Sequence, residues 1–139
     1  MPTQTPAITT TASRANPFGA DIAFDEIGAA EGWAYLDDGY SVAASYTMLH
    51  MLSYSASDCS GTVKISTTVA DYKPSVVFGK FRFMGISPSC FTGGVPVATA
   101  NGRTVASVQW SGILLTIDVS ALSMDVAQPL MVAFAPPSA

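Results

Sequence analysis

The chain is short of charge, of histidine and of cysteine, and each shortage removes a class of function. Charged residues are 12% of its 139 residues, about half of the ~25% usual in soluble domains. The six Lys and Arg are scattered and outnumbered by ten Asp and Glu. No basic stripe exists to neutralise phosphates, so nucleic acid is not an expected partner. His50 is the single histidine and the two cysteines are not in C-x-x-C spacing, which leaves too few ligands for a zinc site and no expected cofactor. No apolar run reaches about 18 residues, so no membrane partner is expected. G-x-S-x-G, P-loop and G-x-G-x-x-G motifs do not occur, and nothing marks an enzyme. The N-terminus has neither a basic n-region nor an apolar h-region, the two marks of a secretory leader. A soluble protein made in a cytoplasm is the expectation.

What is present is apolar and β-rich. Apolar residues make up 49% of the chain, enough for a core at this length. High apolar content with little charge also predicts a surface patch meant for a partner. Residues 1–60 carry seven acids against Arg14, whereas residues 61–139 carry five bases against three acids. Opposite patches of that kind could set register between copies, or mix within one folded chain.

Period-two alternation dominates after residue 20. Ile22 and Phe24 alternate with polar or small neighbours, as do Val63, Ile65, Thr67 and Val69, and again Ile113, Leu115, Ile117 and Val119. Asp37-Asp38-Gly39 and Asn101-Gly102 are hairpin-type turns. Gly79 interrupts the run 76–84 where the alternation changes phase, which predicts a bulge. Residues 40–54 fit a helix stripe or a strand face, and their Tyr, Thr and Ser content favours strand. Residues 120–128 predict a helical turn. About eight strands result. The expected fold is all-β: an antiparallel sandwich, jelly-roll-like or a small barrel. The expected organisation is an extended N-terminal arm over 1–19 and a single β domain over 20–139.

Candidate chemistry is sparse. Asp21, Asp25, Glu26, Glu31, Asp37 and Asp38 form an acidic group that lacks the spaced calcium loop, and no pair is singled out for glycosidase chemistry. His50 lies between Leu49 and Met51 and reads as a core or interface residue. Trp33, Tyr35, Tyr40, Tyr46, Tyr54, Phe78, Phe81, Phe83 and Trp110 could form a stacking platform for sugars. Their alternating positions read more simply as a β core. Cys59 and Cys90 could close a loop of about 30 residues, or stay reduced in a cytoplasm, which is the preferred reading. The arm MPTQTPAITTTASRANPFG is rich in Thr and Pro and cannot bury enough apolar surface to order itself. Ile8, Pro17 and Phe18 are its candidate partner-binding residues, since an extended segment can join a neighbour's sheet edge.

The arm MPTQTPAITTTASRANPF, the Ser/Thr-rich β domain from Asp21 and the tail AFAPPSA resemble, in style, small virion structural proteins of tailed bacteriophages, capsid decoration (cement) proteins above all. The resemblance implies a non-enzymatic virion component, trimeric or monomeric with a homo-oligomer expected, that binds the major capsid protein or other virion subunits and stabilises the shell through its arm and a low-charge β-domain surface. The alternative expectation is a carbohydrate- or receptor-binding β module, such as a head-fibre or tail component.

Overall fold

Alternation writes the inward face of each central strand. In β4 (Thr47–Ser55) the residues Thr47, Leu49, Met51 and Ser53 are buried, while Met48, His50, Leu52 and Tyr54 point out. In β5 (Gly61–Ala70) Val63 and Ile65 point in. The two strands pair antiparallel, with a register shift at Met48/Leu49. That shift turns Val69 to the same side as Met48. The computed structural model describes residues 1–42 and 45–138.

Six strands form one sheet in the order β3 (Ala29–Leu36), β4, β5, β11 (Leu130–Ala135), β7 (Val97–Ala100), β8 (Arg103–Thr104). Five form the other: β1 (Pro2–Gln4), β2 (Phe18–Ala23), β6 (Phe78–Met84), β10 (Leu114–Asp118), β9 (Ser107–Trp110). The two sheets share one core, with Phe78, Phe81, Phe83, Leu115 and Ile117 from one side and Leu49, Ile65, Val132 and Phe134 from the other. Phe83 meets Phe134 across the gap with ring centroids 5.0 Å apart. Each such buried side chain contributes about 1.5–3 kcal/mol. The fold is the expected all-β sandwich, and its sheets do not close into a barrel.

Several local expectations meet the structure directly. Asn101 and Gly102 take φ of 47° and 77° and join β7 to β8, as the two-residue hairpin requires. The phase change at Gly79 is a register irregularity between β2 and β6, where Phe18 faces Phe78 but Ala20 faces Phe81. That pairing is parallel, which an antiparallel reading of the sequence did not anticipate. Residues 40–54 are strand only from Thr47. The part of that expectation on Ala43 and Ala44 lies outside the described residues. Residues 120–122 form a 3-10 turn.

The N-terminal residues are drawn into the sandwich. β1 pairs with β2, and a short helix, α1 (Thr10–Arg14), is capped by the Thr9 hydroxyl, which accepts from the Ala12 amide. Cys59, in the turn after β4, and Cys90, in the 3-10 turn Pro88–Phe91, are joined in a disulfide with Cα atoms 5.3 Å apart. The preference for free thiols rested on a cytoplasmic address and took no account of where the two loops meet.

Candidate functional site

Aromatic residues divide by chemistry. Phe78, Phe81 and Phe83 carry no polar atom and fill the core. Trp33, Tyr35, Tyr40 and Tyr54 stand on the surface, so the core reading of these four is corrected. On β3 the small Ala30, Gly32 and Ala34 take the inward positions, which leaves Glu31, Trp33 and Tyr35 on the outer face. Trp33 is 52% exposed and Tyr35 55%. Each ring rests on a partner. Trp33 stacks on His50 with centroids 4.0 Å apart, and Tyr35 stacks on Tyr46 at 4.9 Å. Glu31 Oε1 lies 2.6 Å from His50 Nε2 and fixes the imidazole under the indole.

This strip runs into a cleft. Beyond the end of β3, a depression of about 370 Å³ is lined by Gln4, Arg14, Tyr35, Asp37, Tyr40 and Tyr72, among others. A second groove of about 320 Å³ shares Gln4, Tyr35 and Leu36 with it and reaches Trp33 and Thr3. The cleft walls are held from three directions. Arg14 Nη1 donates to the Asp38 carbonyl at 2.7 Å. Gln4 Nε2 donates to the Arg14 and Asn16 carbonyls. The Tyr72 carbonyl accepts from the Thr47 hydroxyl, and the Asp71 and Tyr72 amides donate to the Tyr46 carbonyl. Asp38 builds the turn itself: its Oδ1 accepts from the Tyr40 and Ser41 amides and its Oδ2 from the Ser41 hydroxyl. The Ser41 hydroxyl and amide, then the Tyr40 amide, hold its carboxyl below the usual range.

The other sequence candidates lie elsewhere. Phe18 is buried in the chain's own core, Ile8 is fully exposed, and Pro17 lies against Gly79. His50 sits on the outer face of the sheet. Most acids serve local structure. Asp21 forms a two-pronged pair with Arg82, at 2.6 Å for each contact, and raises that guanidinium's pKa. Asp25, Asp58, Asp118 and Asp125 cap their own turns. Ser60 hydrogen bonds also lower the Asp58 carboxyl. Among the described residues no three His, Cys, Asp or Glu side chains converge on a metal position. Among the described residues no helix is long and apolar enough to cross a membrane. Arg14, Tyr72 and Gln4 were not singled out from sequence. They come from three separate segments, and only the turn signal at Asp37-Asp38-Gly39, close after Trp33 and Tyr35, pointed to this end of the fold.

No family model matches the chain. It is similar to part of the α-glucosidase of Schizosaccharomyces pombe, 34% identical over 113 residues, which are 80% of this chain and 10% of that protein. It is also similar to glucoamylase 1 of Schwanniomyces occidentalis, 38% identical over 86 residues, 62% of this chain and 8% of that protein. Among solved structures it shares a fold with a chain of the ER glucosidase II heterodimeric complex of catalytic subunit and regulatory-subunit binding domain. The TM-score is 0.64 at 15% identity, covering 98% of this chain and 16% of that one. The chain thus spans about a tenth of the relatives it matches. These similarities overturn the bacteriophage resemblance, and with it the expected capsid partner, shell role and virion location. The resemblance rested on a polar start and a Ser/Thr-rich, weakly charged β domain, with no diagnostic motif. Composition constrained the fold class and did not fix the identity.

Proposed function

We propose that the chain is a non-catalytic β module that binds α-linked glucosides as part of a glucosidase- or glucoamylase-type protein. The observation that carries this reading is the exposed Trp33–Tyr35 strip, with each ring backed by a second ring and continuous with a cleft lined by both aromatic and polar side chains. An aromatic face offers apolar area against a sugar ring's C–H face, and nearby polar groups fix the hydroxyls. The similarity to an α-glucosidase and a glucoamylase supports the α-glucoside choice. The non-catalytic part is supported by the carboxylates, most of which cap turns or pair with Arg82 or His50. The test is native electrophoresis of the chain through gels cast with soluble starch or with a β-linked glucan. Retardation by starch, reduced in Trp33→Ala, is the expected result. Equal mobility in all gels would refute the reading.

A further inference from the structure

We propose that the cleft beyond β3 is the specificity pocket of this surface and takes the terminal hexopyranose ring of a neutral oligosaccharide, an inference that rests on the carbohydrate reading above. Its wall chemistry selects that ligand class. Tyr35, Tyr40 and Tyr72 converge there from β3, the turn after it and the loop after β5. Tyr40 is 78% exposed and stands on the cleft wall. Three phenols supply both ring faces and hydroxyls that donate and accept.

Two further groups flank them. The Asp38 carboxylate is consumed by its own turn, so Asp37 beside it is the carboxylate left to accept from sugar hydroxyls. Arg14 donates through Nη1 to the Asp38 carbonyl, which leaves the rest of its five-donor fork for a ligand. The guanidinium lies in the space a Cβ at residue 39 would occupy, so Gly39 admits Arg14 to the wall. Two carboxylates against one guanidinium disfavour an anion. Donors and acceptors set side by side on a cleft of about 370 Å³ suit a neutral polyol of one ring's size. The adjoining groove along Trp33 then carries the following residues of the chain.

The experiment is calorimetric titration of the whole chain with maltotetraose, for the wild type, Tyr40→Ala, Asp37→Asn and Trp33→Ala. The expected result is a roughly ten-fold loss of affinity in each cleft variant. Amide NMR shifts in the wild type supply a readout that needs no variant: sugar is expected to move residues 37–41 and Tyr72. Binding that weakens in Trp33→Ala alone, with 37–41 and Tyr72 unmoved, would overturn the pocket and leave the carbohydrate reading standing. No binding by the wild type would overturn both.

Discussion

Trp33 and His50 lie plane on plane across β3 and β4, with ring centroids 4.0 Å apart and planes 16° from parallel. They are directly opposite in the strand register, which is the position where cross-strand pairs interact most. The imidazole therefore acts as a shelf that holds the indole flat on an exposed sheet face. His50→Ala is expected to cost about 1 kcal/mol, the range of an aromatic pair. Glu31→Gln is expected to cost under about 0.5 kcal/mol, because Glu31 is largely exposed. Urea unfolding of both variants checks this, and a His50→Ala curve that overlays the wild type would contradict it.

The Cys59–Cys90 bridge spans 31 residues and ties the turn after β4 to the 3-10 turn before β7. In the chain-entropy account a loop of that size is worth roughly 3–4 kcal/mol. Cys59→Ser with Cys90→Ser is expected to lower the unfolding free energy by about that amount. Adding reductant to the wild type should give the same loss, measured by denaturant titration, and should change nothing in the double variant.

Phe134 is a keystone of the core. It packs edge-on to Phe83 at 5.0 Å and to Phe91 at 6.2 Å, and a Cβ at Gly61 would come within 2.3 Å of its ring. Phe134→Ala is expected to cost about 3–5 kcal/mol by leaving a cavity. Gly61→Ala is expected to cost about 1–3 kcal/mol by overpacking. Gly93→Ala meets nothing within 4 Å and serves as the unaffected control. Thermal unfolding of the three variants ranks them.

Asp38 gives the cleft an acid limit. Its carboxyl is held below the usual range by the Ser41 hydroxyl and by the Ser41 and Tyr40 amides. A carboxyl lowered in the folded state contributes stability above its unfolded value and loses it as pH falls through the lower, folded one. The Tyr40 and Ser41 amide shifts are expected to titrate with a midpoint below the ~3.9 of a free Asp. In Asp38→Asn that titration should vanish. A midpoint at or above the free value would contradict the turn described here.

The sandwich was legible in the sequence wherever alternation was strict. Val63 and Ile65, and Leu115 and Ile117, fall on the faces their spacing implied, and the Asn101-Gly102 turn and the Gly79 irregularity sit where local chemistry put them. Which face of β4 is buried was not legible: His50, Leu52 and Tyr54 point outward, and Thr47, Leu49, Met51 and Ser53 face the core. Period two gives two faces and does not say which is inside. The cleft was hidden for another reason. Gln4, Arg14 and Tyr72 are brought together only by β1 joining the sheet and by Tyr46 pinning the loop of Tyr72, contacts that no local pattern encodes.

The most direct test of the central claim is a fluorescence titration of the chain with malto-oligosaccharide, using Trp110→Phe so that Trp33 is the sole indole. Trp33 is half exposed and faces the groove, so a saturable change in its emission is the expected result, absent with a β-linked glucan oligomer. An emission unchanged up to millimolar sugar would contradict a carbohydrate-binding role for this surface.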